Sequence, residues 1–438
     1  MKCIVFNARS VCNKLLELHY LLHGHDYDVI LITETWLNAK VPNSTLDPDN
    51  QYNVVRYDRP RDTTGGGVCA FVRKSLHVVE VDVNAFYPSL EICGFDLYFC
   101  NTSVRFINVY RPDYESAVNL VDCLSKFINV KSQCIITGDI NCRHIDWANL
   151  YAPCDGTQNV ILDFLVMKGL AQLVTESTRG QNILDVVICN EPLSTCITNV
   201  LPPFGTSDHC QVEFSVFVDD NVDHSAVRRK HYDWQNVDYI GMTQFMMDIN
   251  WYDVLAFNLT ADSLWAAFSE ILQSAIDKFV AVKTIDDGKR MKTFKKWYPP
   301  GIKRAVARKR CLWRQHKALP SDSIIEAAYQ TAASKCRQLI YKFELKKEQK
   351  VVESNNIGRF YSFVNRKLSN KKGVGALRTS DNDVVIDDGQ RADLLNSYFS
   401  SVCTIDDGNM PPVSRVVQES VSLDTVDFSP AKVLAAIK

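Results

Sequence analysis

Polar residues that could bind a metal ion and a phosphate group follow or interrupt short apolar runs in the first half of this chain. The most distinctive is His209, which ends the triplet Ser207-Asp208-His209, and its candidate partners upstream are Asn7, Glu34, Tyr110, Asp139, Asn141 and Asp185. Most of these residues end an apolar run of the kind that forms a buried strand. Because side chains at the ends of neighbouring buried strands converge on one rim, we expect them to form a single site.

The residue types in this set match the needs of phosphodiester hydrolysis, which are an activated water, neutralised charge at phosphorus and help for the leaving oxygen. Glu34 offers a hard oxygen ligand for Mg²⁺, and Asp208 is a second candidate ligand. His209 can act as a general base or hold the phosphate, provided that a carboxylate such as Asp185 fixes its tautomer. The set therefore predicts a metal-assisted hydrolase.

The remaining members of the set would act on the phosphate itself. Asp139 can orient water or donate a proton to the leaving group. Asn141, Asn7 and Tyr110 offer neutral donors to the non-bridging oxygens. Each of these residues, taken by itself, also has an ordinary interpretation as a turn former, a loop opener or a half-buried core residue. Asp185 is harder to explain in that way, because a carboxylate inside a buried strand needs a partner.

The elements that would position these residues alternate between β-branched runs and amphipathic stretches from residue 1 to about 218, which is typical of an α/β domain. Strands are expected at residues 3–6, 29–33, 67–72, 104–110, 134–138, 184–188 and 211–218. Helices are expected at residues 13–22, 117–129 and 159–168, where apolar residues recur at three- and four-residue spacing.

The second half of the chain differs in composition and predicts a linker at 219–232, a small helical segment at 233–283, a basic helical region at 284–372 and a connector at 373–438. Residues 289–372 hold 23 Lys and Arg against five acids, although the whole chain has a net charge of −2. A surplus of this size indicates an anionic partner, usually nucleic acid. Candidate contacts are Arg304, Arg308 and Lys309. The alternative is a solvated helical hairpin whose aromatic residues pack inward.

Further candidate contacts to nucleic acid lie in the first domain. The loop at residues 56–67 contains Arg59 and Arg61 among threonines and glycines, and it could grip a phosphodiester backbone. A hairpin turn with solvated arginines explains the same composition equally well. Arg111, which follows Tyr110, is another candidate contact.

The chain is expected to be intracellular. No run approaches the roughly 18 apolar residues of a membrane span, and the apolar stretch near Met1 is too short for a secretory signal. The 15 cysteines are odd in number, scattered, and never spaced as a Cys-x-x-Cys pair. A disulfide framework or a zinc site is therefore not expected.

Together these motifs carry a resemblance to a known family. Residues 1 to about 218 resemble the endonuclease/exonuclease/phosphatase family, whose fold is a four-layered α/β sandwich. Within it they most resemble the endonuclease of non-LTR (LINE-type) retrotransposons of the jockey and CR1 kind. The motifs that carry this likeness are Asn7-Ala8-Arg9-Ser10, Glu34-Thr35-Trp36-Leu37, Tyr110-Arg111-Pro112, Gly138-Asp139-Ile140-Asn141 and Ser207-Asp208-His209.

The likeness extends into the basic helices and the segments at 297–300, 373–375 and 398–402, which resemble the region joining endonuclease to reverse transcriptase. The single Tyr- or Phe-x-Asp-Asp run, Phe217-Val218-Asp219-Asp220, lies where the first domain passes into the linker and not in a polymerase-like region, so the chain is expected to be the front part of such a polyprotein, truncated before the polymerase. The resemblance implies a DNA endonuclease dependent on Mg²⁺, or alternatively Mn²⁺. It would nick target DNA and leave a 3′ hydroxyl for target-primed reverse transcription. Its partners would be double-stranded DNA and, through the basic region, element RNA, with cleavage in the nucleus.

The resemblance also implies roles by motif position. Glu34 would bind the metal, Asp185 would orient His209, Asp139 and Asn141 would lie at the scissile phosphate, and Tyr110 and Asn7 would donate to it. One departure is visible, because many repair enzymes of this family have a second acid where this chain has Arg9. Two alternatives stay open: an apurinic-site repair endonuclease or phosphatase of the same fold, and a catalytically dead remnant that only binds nucleic acid.

Overall fold

The structure, a computed structural model, describes thirteen segments of the chain. They are residues 1–60, 65–82, 90–99, 102–128, 133–153, 158–218, 228–234, 237–255, 260–286, 298–368, 377–380, 383–385 and 387–402. The chain divides into two compact units, residues 1–376 and residues 377–438. The domain boundaries expected at residues 218, 232, 283 and 372 stay predictions.

Twelve strands and four helices make up the part of the first unit that carries the candidate site. The strands are β1 (Lys2–Asn7), β2 (Val29–Thr33), β3 (Tyr52–Tyr57), β4 (Val68–Arg73), β5 (His77–Val81), β6 (Glu91–Tyr98), β7 (Ser103–Tyr110), β8 (Gln133–Asp139), β9 (Ala171–Gln172), β10 (Asp185–Cys189), β11 (Thr195–Leu201) and β12 (Gln211–Val216). The helices are α1 (Leu15–Gly24), α2 (Asn43–Leu46), α3 (Ala117–Phe127) and α4 (Asn159–Lys168).

The strands form two mixed sheets of six strands each. The first has the order β11-β12-β1-β2-β4-β3 and the second has the order β5-β6-β7-β8-β10-β9. The pairs β1–β2 and β7–β8 are parallel, which brings the C-terminal ends of each pair to the same edge. Every residue of β2 and of β4 is buried, so these strands need a packed layer on both faces.

Three apolar cores separate four layers. Between the two sheets, the rings of Phe95 and Phe106 stack with centroids 5.3 Å apart, within a core drawn from both sheets. On the outer face of the first sheet, Leu18 of α1 is buried. On the outer face of the second sheet, Leu120 of α3 and Phe164 of α4 are buried. The layers are helix, sheet, sheet and helix, which confirms the expected four-layered α/β sandwich.

A smaller segment follows the sandwich. It consists of β13 (Arg228–Tyr232), α5 (Tyr239–Met247), α6 (Trp251–Leu255), α7 (Ala261–Phe279) and β14 (Val282–Asp286). The strands β13 and β14 pair antiparallel. A capping box formed by Thr260 and Ser263 begins α7, and the rings of Phe245 and Phe279 join α7 to α5 with centroids 5.8 Å apart. A small helical segment was expected at residues 233–283, and α5, α6 and α7 lie within that range.

The basic region forms three helices, α8 (Pro300–Ala318), α9 (Ser323–Glu353) and α10 (Ile357–Leu368). Pro300 occupies the first turn of α8, where its fixed φ suits a helix start. Asp322 caps α9 by accepting hydrogen bonds from the amides of Ile324 and Ile325 at 2.9 and 3.1 Å. A basic helical region was expected at residues 284–372, and these three helices lie within it.

The hairpin of α8 and α9 packs its apolar face against the sandwich. Tyr298 and Ile340 form a cluster with Tyr20 of α1. Trp313 forms a second cluster with Val200 of β11. Several aromatic residues of the basic region are thus core residues, as in the alternative interpretation of the sequence, and the hairpin is an integral layer of the first unit.

The second unit is described in part. It contains a short antiparallel pair of strands, β15 (Leu377–Arg378) and β16 (Val384–Val385), followed by α11 (Asp388–Val402). Among all described residues of both units, none of the helices has the length and apolar character that crossing a bilayer requires.

Candidate active site

Polar side chains from both sheets meet at one edge of the sandwich. In the first sheet, Asn7 ends β1 opposite Thr33, which ends β2, and Glu34 follows directly. In the second sheet, Asp139 ends β8 and pairs in register with Asp185, which begins β10. These registers place residues far apart in the sequence at adjacent strand ends.

The side-chain amide of Asn7 links the two sheets at this edge. Its Nδ2 atom donates to Oε1 of Glu34 and to Oδ2 of Asp139, and both distances are 2.8 Å. Asn7 is completely buried, so this amide has no solvent to replace either partner. Both amide hydrogens of Asn7 are thus used between Glu34 and Asp139, and its expected role as a donor to the phosphate stays a prediction.

His209 forms a buried pair with Asp185. Its Nδ1 atom lies 2.8 Å from Oδ2 of Asp185 and 3.8 Å from Oδ2 of Asp139. Because an ionised carboxylate can only accept, Nδ1 carries the proton and donates to Asp185. The Nε2 atom is buried and has no hydrogen-bond partner among the described residues. Nε2 is thus the ring atom left to meet a phosphate oxygen or a water.

The surroundings shift the proton affinities of His209 and Asp139. Burial lowers the pKa of His209, but the charges of Asp185 and Asp139 and the hydrogen bond to Asp185 outweigh it, so this pKa is raised above its ordinary value. Burial, followed by the charge of Asp185, raises the pKa of Asp139 to about 7. A cationic imidazole can stabilise charge on a phosphate, and a carboxyl group that titrates near neutrality can transfer a proton.

Tyr110 lies at the same edge as these two groups. It ends β7 and pairs in register with Asp139. Burial, followed by the charges of Glu34 and Asp139, raises the pKa of its phenol far above the ordinary value. The hydroxyl therefore keeps its proton at neutral pH and can act as a neutral donor, as expected.

Asn141 is placed in the turn after β8, where it holds the backbone. Its backbone amide donates to Oδ1 of Asp139 at 3.0 Å, and its side-chain Nδ2 donates to the carbonyl of Arg111 at 2.9 Å. The backbone amide hydrogen and one of the two side-chain amide hydrogens of Asn141 are therefore used within the protein. Its expected role as a donor to the phosphate stays a prediction.

The loops at this edge hold an unusual share of strained backbone. Of the eight non-glycine residues with positive φ among the described residues, five lie there: Arg9, Ser10, Glu34, Trp36 and Asn141. Such conformations cost on the order of 1–3 kcal/mol each and persist only where the surroundings impose them. Here the loops that follow β1 and β2 are joined by backbone hydrogen bonds. The amide of Ser10 donates to the carbonyl of Glu34 at 2.9 Å, and the amide of Val11 donates to the carbonyl of Thr35 at 2.8 Å.

The residues at this edge fit a hard divalent cation. Ligand atoms of Asp139, Asp185 and His209 all lie within 4.8 Å of one another, and the two carboxylates are the ones available to a cation, because Nδ1 of His209 carries a proton. The Oδ1 atom of Asp185 is buried without a hydrogen-bond partner among the described residues. Glu34 supplies a further carboxylate, which accepts a hydrogen bond from the Asn7 amide. Oxygen-rich sites of this kind suit Mg²⁺ and similar ions.

Asp208, the second expected metal ligand, is placed differently. Its Oδ1 lies 3.1 Å from Arg9 and its Oδ2 lies 2.8 Å from Arg179. Burial raises the pKa of Asp208, but His209, Arg179 and Arg9 outweigh burial and lower it below the ordinary value. Asp208 is not part of the buried group of acids and histidine. The expectation of a metal ligand is therefore corrected, because two guanidinium groups occupy both carboxylate oxygens.

Two of the expected contacts to nucleic acid are also corrected. Arg111 is buried, and its guanidinium donates to the carbonyls of Ile140 and Asn141 at 2.7 and 2.9 Å, so it holds the turn that follows Asp139. Lys309 donates to the carbonyl of Pro203 at 3.2 Å, and burial lowers its pKa. Arg111 faces the protein interior, and the ammonium of Lys309, a partly exposed residue, is held by the carbonyl of Pro203.

The other expected contacts differ in their surroundings. Arg59 is partly buried and forms an ion pair with Glu91. Arg61 lies outside the described residues. Arg304 and Arg308 are exposed on α8, and their contact with nucleic acid stays a prediction.

Three residues support the site without having been assigned a role from the sequence: Thr178, Ser207 and Lys14. The hydroxyl of Thr178 accepts from the backbone amide of Asp185 at 3.1 Å. The hydroxyl of Ser207 donates to the carbonyl of Asn7 at 2.7 Å and accepts from the amide of His209 at 3.2 Å. The ammonium of Lys14 donates to three carbonyls of the loop after β1 at 2.7 to 3.0 Å. Thr178 and Lys14 stand in no motif, so no sequence signal marks them.

Residues 104–213 match the sequence model of a family described as endonuclease-reverse transcriptase. The match spans 110 of the chain's 438 residues, and it is a similarity to that family. The match includes Tyr110, Asp139, Asp185 and His209, and it confirms both the resemblance and the expectation of a hydrolytic nuclease. No curated protein matches the chain in sequence.

Solved structures of several nucleases are similar to about half of this chain. The endonuclease domain of TRAS1, a telomere-specific non-LTR retrotransposon, is 16% identical with a TM-score of 0.39, over 50% of this chain and 99% of that one. An AP endonuclease from Archaeoglobus fulgidus is 14% identical with a TM-score of 0.37, over 50% and 100%. The AP endonuclease LMAP from Leishmania major is 14% identical with a TM-score of 0.39, over 50% and 88%.

Proposed function

We propose that this chain is the Mg²⁺-dependent endonuclease of a non-LTR retrotransposon. It would nick one strand of double-stranded target DNA and leave a 3′ hydroxyl that primes reverse transcription. The observation that carries the proposal is the junction at Asn7, whose amide holds Glu34 of one sheet and Asp139 of the other beside the His209 and Asp185 pair. Together these groups supply a metal ligand, a donor to the phosphate and a proton donor, which metal-assisted phosphodiester hydrolysis uses.

Each residue has a role that follows from its position. Glu34 would hold the metal ion, Mg²⁺ or alternatively Mn²⁺, which when bound supplies Lewis-acid polarisation of the phosphate. The charges of Asp185 and Asp139 raise the pKa of His209 and so favour the cationic ring, whose Nε2–H would bind a non-bridging oxygen. The hydroxyl of Tyr110 would donate a further hydrogen bond to the charged oxygens of the phosphate.

Asp139 is the candidate for proton transfer to the leaving group. Cleavage that leaves a 3′ hydroxyl breaks the bond between phosphorus and the 3′ oxygen, and that oxygen must gain a proton. A carboxyl group with a pKa of about 7 is partly protonated at neutral pH and can donate that proton. The Asn7 amide keeps the Asp139 carboxyl at the junction while it does so.

The wider setting belongs to the same proposal. Target DNA would be cut in the nucleus, and element RNA would be a second partner of the basic region. The exposed cations of α8, such as Arg304 and Arg308, support contact with a polyanion.

Nicking of supercoiled plasmid tests the proposed activity. The wild-type chain is expected to convert supercoiled plasmid to open circles with Mg²⁺ and not with EDTA. His209→Ala should lower the rate by about 10²–10⁴-fold, the usual contribution of such a group. His144→Ala is the matched control, because that histidine is exposed and lies outside the site. A polymerase should extend the nicked ends directly if they carry a 3′ hydroxyl.

The same assay separates the alternatives. Cleavage restricted to abasic sites would identify a repair endonuclease. Phosphate release from monoesters without nicking would identify a phosphatase. Binding of DNA with no hydrolysis under any metal would identify a catalytically dead remnant.

A further inference from the structure

The segment that carries His209 joins β11 to β12 and contacts the hairpin of α8 and α9. We name its residues 202–210 the histidine loop. Within the sandwich, the ring of Phe204 packs on the ring of Phe6 with centroids 4.7 Å apart. The hairpin contacts the histidine loop both before and after His209, so two layers of the first unit determine where this histidine lies.

Two cations of the hairpin hold the histidine loop before His209. The Nζ atom of Lys309 in α8 donates to the carbonyl of Pro203 at 3.2 Å, and the guanidinium of Arg337 in α9 donates to the carbonyl of Gly205 at 3.4 Å. A cavity of about 80 Å³ is lined by residues of the loop and of both helices, these four among them. The histidine loop therefore has room to shift beside this cavity, and the two hydrogen bonds restrain it.

The apolar face of the hairpin holds the histidine loop after His209. Cys210, the next residue, packs against a buried cluster that contains Trp313 of α8 and Tyr329 of α9. The backbone amide of Cys210 donates to the carbonyl of Thr178 at 2.7 Å. Cys210 thus joins the hairpin to the residue that supports the carboxylate partner of His209.

A third contact of the hairpin reaches the segment before Thr178. Lys317, near the end of α8, forms an ion pair with Glu176. Both side chains of this pair are partly exposed, and ion pairs of that kind contribute little to stability. The restraint on the histidine loop is therefore assigned to the two cations that bind its carbonyls, Lys309 and Arg337.

A catalytic group must be held closely in place, because a displacement of about 1 Å can lower a rate by about 10²-fold. Nε2 of His209 has no hydrogen-bond partner among the described residues, and its direction depends on where the histidine loop lies. We propose that Lys309 and Arg337 are positioning residues of the nuclease, which restrain the loop so that this atom faces the scissile phosphate. The inference rests on the proposed function. It gives these two cations of the basic region a role in catalysis that needs no contact with nucleic acid.

Steady-state nicking by the full chain separates positioning from binding of DNA. The test variant carries Lys309→Met and Arg337→Met, which keep long side chains and remove both donors. Its kcat is expected to fall at least about tenfold, while the KM for plasmid changes less than about threefold. The conservative pair, Lys309→Arg with Arg337→Lys, keeps both charged donors and should hold kcat within about threefold of wild type.

Two control variants exclude a general loss of stability or of charge. Ile302→Val removes one buried methylene of α8 in the cluster with Tyr20, and it should leave kcat within about twofold of wild type. Lys303→Met with Arg314→Met removes the same charge at exposed positions of α8 and should also leave kcat within about twofold. A loss of kcat in either control equal to that of the test variant would overturn the proposal.

A double-mutant cycle shows whether the two cations act through His209. In a His209→Ala chain, adding Lys309→Met and Arg337→Met should change the remaining nicking rate less than about twofold, because the group that they position is absent. A further tenfold loss in that chain would overturn the proposal. If the test variant does not fold, the two single variants replace it, and each should lower kcat at least about threefold.

Hydrogen exchange tests the restraint without any nicking activity. Within the histidine loop, the amide of Ser207 donates to the carbonyl of Phe204 at 2.9 Å and the amide of His209 donates to the hydroxyl of Ser207 at 3.2 Å. Peptides that cover residues 203–212 should exchange at least about tenfold faster in the test variant and at the wild-type rate in Ile302→Val. Unchanged exchange in the test variant would overturn the proposal. A wild-type chain that does not nick plasmid would instead contradict the proposed function, so the two failures are distinguishable.

Discussion

The Nδ1 atom of His209 lies 2.8 Å from Oδ2 of Asp185, and both side chains are buried. Asp185 is itself fixed, because its backbone amide donates to the hydroxyl of Thr178 at 3.1 Å. The pair therefore has a set geometry, with Nε2 of the imidazole as the atom that faces no protein partner among the described residues. This relationship underlies the first prediction.

Asp185→Asn is expected to lower plasmid nicking by about 10²–10⁴-fold, because an amide no longer holds the proton on Nδ1 of His209. The pKa of His209 should fall as well, since the charge of Asp185 and its hydrogen bond raise that pKa. The alkaline limb of the pH profile should move to lower pH. Asp146→Asn, at an exposed loop position, is the matched control. A nicking rate within threefold of wild type would contradict the assignment.

Asp208→Asn is expected to leave the Mg²⁺ concentration for half-maximal nicking unchanged within about twofold. The reason is that Asp208 forms ion pairs with Arg9 and Arg179. Without the carboxylate these two guanidinium groups should lose their orientation, and the KM for DNA should rise. Glu34→Gln, by contrast, should raise the Mg²⁺ requirement at least about tenfold, because it removes a carboxylate ligand. If both variants raised the requirement equally, Asp208 would be a metal ligand after all.

Lys309→Ala is expected to lower the free energy of unfolding by about 1–2 kcal/mol, because the partly buried carbonyl of Pro203 loses its charged donor. Pro203 precedes the Ser207-Asp208-His209 triplet, so nicking should fall too. Arg308→Ala, one residue earlier and exposed, should change stability by less than about 0.5 kcal/mol. Urea unfolding of the two variants measures the difference. Equal effects would place Lys309 on the surface.

Gly138→Ala is expected to destabilise the protein by about 4 kcal/mol or to prevent folding. Gly138 has a φ of 120°, and an added Cβ would lie 2.0 Å from the carbonyl oxygen of Val109. Gly169→Ala is the control, since its φ is 62° and nothing lies within 4 Å of an added Cβ. That change should cost only about 1–2 kcal/mol. Urea unfolding distinguishes the two, and a tolerated Gly138→Ala would contradict the packing of β7 on β8.

Acid is expected to weaken the protein through His25. Burial, followed by the charges of Arg310 and Lys2, lowers the pKa of His25 to about 4. In the unfolded chain the pKa of a histidine is near 6.5, so the unfolded state takes up a proton before the folded state does. The stability that is present above pH 6.5 is therefore lost as the pH falls towards 4. The loss should be about 1–3 kcal/mol.

Urea unfolding at pH 7 and pH 4.5 measures this effect. His25→Gln cannot take up the proton and should flatten the dependence on pH. His144→Gln, at an exposed histidine, should leave it as in the wild type. An unchanged slope in His25→Gln would assign the acid sensitivity to other groups.

Much of the fold could be predicted from the sequence, because its central strands are buried on both faces and therefore appear as continuous apolar runs. The strand expected at residues 29–33 has those bounds in the structure, and the helix at residues 159–168 also matches. The strands β3, β5, β6, β9 and β11 were missed. They are short or interrupted by polar residues and glycine, and their extended form depends on pairing with a neighbour.

The sequence by itself determined which residue types stand at strand ends and therefore which chemistry was available. Only the tertiary structure decided how they pair: Asn7 between two sheets, Asp208 with two arginines, and Arg111 turned inward. The physical reason is that charge and spacing describe a residue and its neighbours along the chain. Burial and hydrogen bonding depend on sheet register and on the packing of one layer against another, which join residues that are distant in the sequence.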